Sequence, residues 1–501
     1  MSVMNLPLPL QTYKSPSRPL SSQRLLNMYI ENPQDPNTQD VLLLGAPGLT
    51  TAVDLSNLTT VPCLGVDELL WRGTGLHYFV IANETGIYIT RSNVAKPASW
   101  IFSITWDVLG MTAPESHVKM ANNGDDILIL NAEAGRMVIV TPPGPTDTEL
   151  MWNVREPTDS GYETFIQGGG IFIDITMINS VFAAVCKDNS GAYLRWGDVL
   201  NPNVWDYVAQ LDASPNELTG VSTNGRELWV FSPTNIIILA PTGEAGDTFF
   251  ASVGGATINK GTQYKSCIAV DEASFFFLGS DDAIYASRGY NLAQISTAPI
   301  INMVKKWGKP QNVIGQFFYK EGHRFYVLKI KFAGQPGKSL WYDLETKSWS
   351  EREGIDGKEW RGDYLVKLPN AATYITSIDL PKLYLLDTDA FTDDGDPIPR
   401  EFVFPSIVAS NKNRMLFYSM TLDLDTGLGQ GDDLIMDWSD DGGNKFEKPR
   451  RANLGVYGEF SKKVQFRRLG SALNRIFRVK MVTSSPVHVL RAYMDVEECE
   501  A

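Results

Sequence analysis

The feature that most constrains the fold of this chain is a segment of about fifty residues that recurs seven times. Most of these segments contain three apolar strands separated by polar turns. A period near 50 residues with about four strands per unit is typical of a β-propeller, whereas a single β-sandwich would not repeat in this way. We therefore predict an all-β chain in which residues 61–400 form a β-propeller of about seven blades, with six to eight blades compatible with the pattern. The segments begin near Val61, His117, Ile171, Leu218, Ser266, Val313 and Trp360, with spacings of 56, 54, 47, 48, 47 and 47 residues.

The middle strand of each segment is a short and nearly continuous apolar run. Examples are VFAAV from Val181, LWVF from Leu228 and FFFL from Phe275. Such runs are expected where a strand is buried on both faces, as it is when one sheet stacks on the next. The sequence LWYDLETKSWSERE at 340–353 fits the outer hairpin of a blade.

One helix is predicted to interrupt the strands, near residues 298–307. Ser296 and Thr297 provide hydroxyl groups for an N-cap, and Pro299 suits the first turn. Gly308 and Pro310 then end the helix. Two roles stay open for it, because it can cover an edge of the propeller or take part in ring assembly.

The propeller segment is flanked by an N-terminal arm and a C-terminal domain. Residues 1–60 are predicted to form an arm and a first strand that close onto the propeller. The apolar run at 41–44 is predicted to be a buried strand. From 401 to 501 the sequence alternates apolar and polar residues, most clearly over 416–427. This alternation predicts a C-terminal β-sandwich.

The segment that leads into the C-terminal domain, 386–401, is rich in aspartate. Five acids invite a calcium interpretation, but Phe391 occupies a ligand position of the EF-hand pattern and no Glu closes the loop. We interpret the segment as a solvated acidic linker, with a weak calcium site as the alternative. The acids are Asp387, Asp389, Asp393, Asp394 and Asp396.

Composition limits the setting in which the chain works. A hydrophobic content of 43% and a charged content of 20% are ordinary for a soluble globular protein. The sequence has no run of about 18 apolar residues and no charged region at its start, so we expect neither a membrane span nor a signal peptide. Its four cysteines lack metal-binding spacing, which is consistent with a reducing place of synthesis such as bacterial cytoplasm.

The formal charge of −14 is unevenly distributed along the chain. Residues 401–501 contain 14 basic and 14 acidic residues, so residues 1–400 contain the other 30 basic and 44 acidic residues. An acidic body argues against tight phosphate binding, which needs clustered Lys and Arg. It is compatible with a channel through which DNA slides.

Motifs for catalysis or cofactor binding are missing from the sequence. It contains no GxSxG, P-loop, GxGxxG or HExxH pattern. Residues 439–446 nearly match an Asp-box, a hairpin that recurs in sialidase propellers away from the catalytic centre. A glycosidase needs a pair of carboxylates or an equivalent at a defined distance, and no pair stands out. We therefore predict no catalytic, cofactor-binding or metal-binding residues.

A patch of basic residues in the C-terminal domain is the candidate functional surface. It could meet DNA phosphates, the acidic face of a neighbouring subunit, or only solvent. Doublets on a strand place one charge on each face, and no aromatic stacking pattern accompanies them. We therefore favour a subunit contact. The patch consists of Arg450, Arg451, Lys462, Lys463, Arg467 and Arg468.

Several stretches resemble, in the same order, the tail hub proteins of short-tailed bacteriophages, which are also called packaged-DNA stabilisation proteins. The N-terminal pattern is Arg24-x-x-Asn27-Met28-Tyr29-x-Glu31, followed by a strand and Pro47-Gly48-Leu49. The other resembling stretches are 195–206, 217–243, 255–300 and 467–497.

This resemblance implies a structural virion protein and no catalytic residues. It implies a homohexameric ring, the tail hub or nozzle, below the portal and adaptor proteins. Such a ring retains packaged DNA, conducts it during ejection and touches it only transiently. Tail fibres or tailspikes and a needle or plug protein are the other expected partners. The alternative is a phage propeller that acts as a glycosidase or as a polysaccharide-binding adhesin.

Overall fold

The protein is described by a computed structural model that covers residues 2–15, 17, 21–32, 41–211, 217–254, 256–368, 372–409 and 413–499. Six strands precede the first complete blade. They are β1 (Ser2–Leu6), β2 (Tyr13–Lys14), β3 (Ser22–Leu26), β4 (Met28–Glu31), β5 (Leu42–Gly45) and β6 (Gly48–Asp54).

The next 24 strands form six blades, each a sheet of four antiparallel strands that follow one another in the chain. Blade 1 contains β7 (Cys63–Trp71), β8 (Leu76–Asn83), β9 (Gly86–Arg91) and β10 (Phe102–Thr105). Blade 2 contains β11 (Lys119–Asn122), β12 (Ile127–Asn131), β13 (Arg136–Thr141) and β14 (Asn153–Arg155). Blade 3 contains β15 (Ile171–Ile178), β16 (Val181–Asp188), β17 (Gly191–Trp196) and β18 (Tyr207–Gln210).

Blades 4 to 6 repeat this arrangement. Blade 4 contains β19 (Gly220–Thr223), β20 (Leu228–Phe231), β21 (Ile236–Pro241) and β22 (Phe250–Ser252). Blade 5 contains β23 (Ala269–Asp271), β24 (Ser274–Leu278), β25 (Ile284–Arg288) and β26 (Asn291–Gln294). Blade 6 contains β27 (Asn312–Lys320), β28 (His323–Phe332), β29 (Gln335–Asp343) and β30 (Ser348–Arg352).

Blade 7 closes the ring with a strand from the other end of the chain. Its first three strands are β31 (Gly362–Lys367), β32 (Thr373–Ser377) and β33 (Lys382–Asp387), and its fourth is β6, antiparallel to β33. The inner strand β31 also contacts β7 of blade 1. The prediction of a β-propeller of about seven blades is therefore confirmed, and each inner strand begins within three residues of the predicted segment start.

The remaining strands complete the predicted C-terminal β-sandwich. One sheet contains β1, β4 and β5 beside three of these strands, and the other contains β3 beside most of the rest. Its core includes the fully buried Met420, Met436, Phe477 and Met494. The strands are β34 (Thr392–Asp393), β35 (Asp396–Val403), β36 (Ile407–Val408), β37 (Met415–Leu424), β38 (Asp433–Ser439), β39 (Glu447–Asn453), β40 (Val464–Ala472), β41 (Asn474–Thr483) and β42 (His488–Glu498).

The N-terminal segment 1–60 is divided between the two domains. We expected it to close onto the propeller, and two of its strands pair with the blades, since β6 completes blade 7 and β3 pairs with β30 of blade 6. Strands β1 and β5 pair with β42 of the sandwich, and β3 pairs with β35. The apolar run at 41–44 largely forms β5, which is a strand of the sandwich and not of the propeller. The position of β5 depends on its pairing with β42, which is far away in the sequence. A local sequence pattern does not predict such a pairing.

The sandwich is attached outside blades 6 and 7. Strand β3 lies between β30, the outer strand of blade 6, and β35, so a single sheet runs from the propeller into the sandwich. Leu26 on β3 pairs with Glu351 on β30, and Asp393 on β34 pairs with Leu49 on β6. Both outer strands are thereby covered.

Two α-helices lie among the described residues, α1 (Ser160–Gln167) and α2 (Ala298–Trp307). The hydroxyl of Thr297 precedes α2 without capping it, and Ser296 Oγ instead accepts from the amide of Ile284. The buried side chains Ile300 and Val304 pack into the core of blades 5 and 6, so α2 covers an edge of the propeller. None of the described helices is long and apolar enough to cross a membrane.

Helix α1 was not predicted, because we expected one helix only. Its N-cap is Asp159, whose carboxylate accepts from the amide of Gly161 at 3.0 Å. Tyr162 and Phe165 are buried on one face. An N-cap acid with aromatic residues three apart was the available signal, but a helix of two turns is easily hidden by the stronger strand period.

We predict that Leu49→Ala weakens ring closure. Leu49 is fully buried on β6 among Trp341, Trp360 and Tyr384, and truncation of a buried leucine typically lowers the free energy of unfolding by about 2–5 kcal/mol. Chemical denaturation would measure this loss. Leu70→Ala is the matched control, because Leu70 is 40% exposed on β7 and its truncation should change stability by about 0.5 kcal/mol or less. Equal effects of the two changes would contradict the closing role of β6.

Candidate interaction surfaces and the domain seam

The axis of the propeller is filled by side chains from several blades. The ring of His117, before blade 2, stacks on Tyr364 of blade 7 with centroids 4.1 Å apart. His117 Nδ1 also lies 3.2 Å from the hydroxyl of Ser266, before blade 5. Burial, and then the charges of Lys119 and Lys265, lower the pKa of His117 to about 3. Side chains from three parts of the ring thus meet as a bridge across the axis, which blocks the passage of duplex DNA along it.

Two cavities adjoin the bridge, with volumes of about 830 and 360 Å³, and both are lined by Lys265 and Ser266. The smaller one contains Asp67, and burial raises the pKa of this carboxyl group to about 7. Asp67 is the only acid among the described residues that line the smaller cavity. Within the same described residues, no group of three or more His, Cys, Asp or Glu could hold a metal ion. The cavity therefore does not present the carboxylate pair of a glycosidase.

An ion network around Arg24 occupies the seam between propeller and sandwich. The guanidinium of Arg24 lies 2.7 Å from Glu351, 3.0 Å from Glu353 and 3.2 Å from Glu401. Lys14 Nζ is 2.6 Å from the other oxygen of Glu351. Burial alone would raise the pKa of Glu351, but the charges of Arg24 and Lys14 outweigh it and hold this pKa at about 2. The network thus joins β3, β30 and β35.

The acidic segment 386–401 is part of this seam, so the interpretation as a solvated linker is wrong. Asp393 is 3% exposed, and its carboxylate lies 2.9 Å from the buried guanidinium of Arg352. Asp396 pairs with Arg361, and Asp394 pairs with Lys382. These three acids neutralise cations of blades 6 and 7. Sequence reasoning missed this because the partners lie 12 to 41 residues away.

The six predicted patch residues are all exposed and lie along the free edges of the sandwich. Arg450 and Arg451 are on β39, the last strand of one sheet. Arg467 and Arg468 are on β40, the last strand of the other sheet. Lys462 and Lys463 lie in the connection between β39 and β40. We call these six residues the basic edge.

Local partners neutralise little of the basic edge. Arg450 covers the ring of Trp438 at 5.5 Å, and Arg451 is 3.8 Å from Asp433. Lys462 lies 3.2 Å from Glu459. Arg468 has a positive φ of 60°, so the alternation that would place Arg467 and Arg468 on opposite faces fails there. The charges of the neighbouring Arg475 and Arg478 are neutralised, because each forms an ion pair with an aspartate of the same domain.

Exposed aromatic residues accompany the basic edge, which the sequence analysis missed. Val456, Tyr457 and Phe460 are 51%, 80% and 65% exposed in the connection from β39 to β40. Their signal in the sequence is VYGEF between two basic doublets. These residues lie in the connection between two strands, where the alternation of a strand does not reveal them. We call the surface formed by Val456, Tyr457 and Phe460 the aromatic tip.

The near-match to an Asp-box forms a self-contained turn between β38 and β39. Ser439 Oγ donates to Asp441 at 2.6 Å. The carboxylate of Asp441 accepts from the amides of Asn444 and Lys445 at 2.9 and 3.0 Å. All of these groups are used within the hairpin of the sandwich, so the motif is structural here.

Two protein-family models match this chain. One, described as "Bacteriophage P22 Gp10, beta-propeller", matches residues 98–390. The other, "Bacteriophage P22 Gp10, beta-sandwich", matches residues 401–497. The first alone spans more than half of the 501 residues, and the two together follow the order of the domains described above. No match was found among curated proteins.

Solved structures show only a distant likeness. The N-terminal domain of Nup159 is 10% identical with a TM-score of 0.40, over 73% of this chain and 99% of that one. The WD40 domain of Toxoplasma gondii coronin is 10% identical with a TM-score of 0.37, over 76% of this chain and 87% of that one. An exo-beta-1,3-galactanase from Phanerochaete chrysosporium is 8% identical with a TM-score of 0.28, over 77% and 97%. At these scores the likeness carries no functional argument.

We predict that Arg24→Ala strongly destabilises the protein, because it leaves Glu351 buried with only Lys14 as counter-charge. Breaking a buried pair by removing one partner typically costs about 3–5 kcal/mol. Denaturant unfolding at neutral pH would measure the change. Arg72→Ala is the control, because Arg72 is 70% exposed in its pair with Asp125 and such pairs contribute about 1 kcal/mol or less. A small loss for Arg24→Ala would show that the seam does not depend on this pair.

The same pair predicts a pH dependence. The folded pKa of Glu351, about 2, lies below its ordinary value of about 4.3 in an unfolded chain. The stabilisation is therefore fully present above pH ~4.3 and is lost as the pH falls toward about 2. Unfolding free energies measured across this window should fall less steeply for Glu351→Gln than for the wild-type chain. Identical slopes would contradict the assignment.

Proposed function

The chain belongs to the family of bacteriophage P22 Gp10, and on that premise we propose that it forms the hub, or nozzle, of a short phage tail, where it retains packaged DNA and conducts it during ejection. As a member of this family it is a bacteriophage tail structural protein with a β-propeller fold. The observation that carries the proposal is the match of both domains, in order, to the two Gp10 models. The proposed place of the protein is the virion tail, after synthesis in the host cytoplasm.

We propose that the hub is a homohexameric ring and that DNA passes through the opening between the copies. The filled axis supports this path, because His117 and Tyr364 stack across it. A propeller closed by β6 is a compact wall element rather than a pore. The ring lies, in this proposal, below the portal and adaptor proteins, and it carries tail fibres or tailspikes and a needle or plug.

Charge supports the sliding of DNA through such a ring. Residues 1–400 carry the whole formal charge of −14. A lumen lined by acidic propeller surface repels phosphate, so that contact with DNA is transient and non-specific. The basic edge is the exception, and we assign it to the acidic surface of a neighbouring copy, because complementary charges steer association.

We infer that the protein is not an enzyme. The structural role of its family supports this, together with a cavity whose described lining contains Asp67 as its single acid. Asp67 has no second carboxylate beside it in that lining, and glycoside hydrolysis needs two such groups or an equivalent. The smaller cavity at the axis therefore gives no support to the glycosidase alternative.

We predict that reversing Arg450, Arg451, Lys462 and Lys463 to glutamate slows ring assembly and raises its salt sensitivity, while the melting temperature of the monomer stays the same. Exposed charges contribute about 1 kcal/mol or less to folding, whereas they strongly affect association rates. Electron microscopy of assembled particles is the measurement, and it also tests whether the protein is present in the tail as a ring.

The matched control reverses four exposed basic residues outside the basic edge, namely Lys187, Arg226, Arg288 and Lys309. Assembly of this control should be normal. Normal assembly of the first variant with weaker DNA retention would mean that the basic edge faces the channel. Absence of the protein from tails would overturn the proposed function itself.

A further inference from the structure

The aromatic tip is an exposed apolar surface that is held in a defined shape. Tyr457 and Phe460 lie edge to face with ring centroids 6.4 Å apart. The backbone beneath them is fixed, because the amide of Gly458 donates to Gly427 at 3.0 Å and Val456 forms a β-bridge to Gly429. A surface that is ordered before binding loses little entropy on binding. Exposed neighbouring aromatic residues of this kind mark an interaction site.

The surroundings of the aromatic tip indicate the charge of its partner. The tip lies between the two doublets Arg450–Arg451 and Lys462–Lys463 of the basic edge. Aromatic and arginine side chains together are typical of the energetic centre of protein interfaces. The fitting partner surface is therefore apolar at its centre and acidic around it.

The tip follows the last strand of the sheet that leaves blade 6. In this sheet the order of strands is β30, β3, β35, β41, β38 and β39. Phe446, just before β39, lines a pocket with Pro299 and Trp307 of α2, whereas the tip lies beyond the opposite end of β39. The basic edge and the tip are therefore at the distal side of the sandwich.

A matching surface lies at the rim of blade 3. Val199, Leu200 and Val208 are 52%, 54% and 47% exposed in and before the outer strand β18. Asp198 and Asp206 lie in the same stretch of chain, and the hydroxyl of Tyr207 donates to Asp198 at 2.9 Å. This rim is apolar at its centre and acidic at its border, as the tip requires.

The acids of the blade 3 rim repel one another within the copy. The carboxyl groups of Asp206 and Asp159 contact each other, and partial burial followed by the charge of Asp159 raises the pKa of Asp206. The local cation Arg195 offsets only part of this rise in pKa, and its guanidinium lies over the ring of Phe165 and donates to the carbonyl of Trp205. Cations from another copy would relieve this repulsion.

The two surfaces are on opposite sides of the molecule. Blades follow one another around the axis in chain order, and the sandwich is attached outside blades 6 and 7. Blade 3 is three steps from blade 6 in one direction and three steps from blade 7 in the other. Two different surfaces on opposite sides form a head-to-tail contact, which produces a ring when the rotation closes.

We propose that the aromatic tip and basic edge of one copy dock on the rim of blade 3 of the next copy. This inference rests on the proposed ring and specifies the surfaces that join it. Tyr457 and Phe460 contact Val199, Leu200 and Val208, while Arg450, Arg451, Lys462 and Lys463 face Asp159, Asp198 and Asp206. DNA and anionic membrane are the other occupants that a basic and aromatic surface could take.

Cross-linking between two marked copies tests the contact. Tyr457→Cys and Val208→Cys are made in separate full-length chains that also carry Cys499→Ser, because the other three cysteines are buried. A short bis-maleimide should join the two chains when they are mixed and should join neither chain to itself. Val108→Cys replaces Val208→Cys as the control, since Val108 is 75% exposed after β10 of blade 1, and it should give no product.

Loss of the tip should weaken self-association without unfolding. Tyr457→Ser with Phe460→Ser should raise the Kd between copies at least about tenfold, which is about 1.4 kcal/mol, at an unchanged melting temperature. Val108→Ser with Leu150→Ser is the control, because these residues are 75% and 74% exposed and lie outside both surfaces. Sedimentation of the purified full-length chain is the measurement.

Each other outcome overturns the inference. If rings assemble but no cross-link forms between positions 457 and 208, this contact is excluded and the hub function stands. The same holds if rings assemble normally from the chain that carries Tyr457→Ser and Phe460→Ser. Loss of binding to phosphatidylglycerol vesicles or to duplex DNA, with self-association unchanged, would assign the tip to a membrane or to the genome. Absence of the protein from tails would instead remove the proposed function, whatever the cross-linking shows.

Discussion

The carboxylate of Glu351 is buried and needs a positive charge beside it. The ion pairs that provide this charge join the propeller to the sandwich. Glu351 lies on the outer strand of blade 6, where β3 covers it. Arg24 and Lys14 supply the positive charge from the N-terminal segment. A buried charge without a partner is far more costly than an exposed one, so the sandwich cannot leave the propeller without exposing this network. A second buried pair, Arg352 with Asp393, continues the same seam.

The seam also decides which strand edges stay open. Outer strands of propeller blades are edges that can pair with other chains, and β3 and β34 cover two of them. At the distal side of the sandwich, β39 contains Pro449 and several exposed charges. Proline and charge both oppose pairing through the backbone. A partner at this edge would therefore be bound through side chains, which is the kind of contact that we propose for the basic edge and aromatic tip.

The propeller supplies rigidity rather than a passage. His117, Ser266 and Tyr364 connect three separate blades across the axis, and Lys119 connects Asp174 of blade 3 with the carbonyl of Val221 in blade 4 at 2.9 and 3.1 Å. These contacts hold the inner strands together from within, while β6 holds the ring closed from outside. A body of this kind suits the wall of an assembly, in agreement with a phage tail structural protein.

The propeller and the exposure of the six basic residues could be predicted from the sequence alone. A repeat of apolar strands is visible in the local sequence, because each of these strands is buried on both faces. The sandwich was predicted in the same way from the local alternation of apolar and polar residues. The short helix α1 was missed because the capping by Asp159 is a weak signal beside the strand period.

The places where distant segments meet could not be predicted in this way and are seen in the three-dimensional structure. In this structure β6 completes blade 7, whereas other strands of residues 1–60 pair with the sandwich. Asp393 is buried against Arg352, in a segment for which the sequence predicts exposure to solvent. The fold also leaves the aromatic tip exposed in the connection between β39 and β40. These outcomes depend on hydrogen-bond register and charge pairing between residues far apart in the chain, and no local period or composition records such pairings.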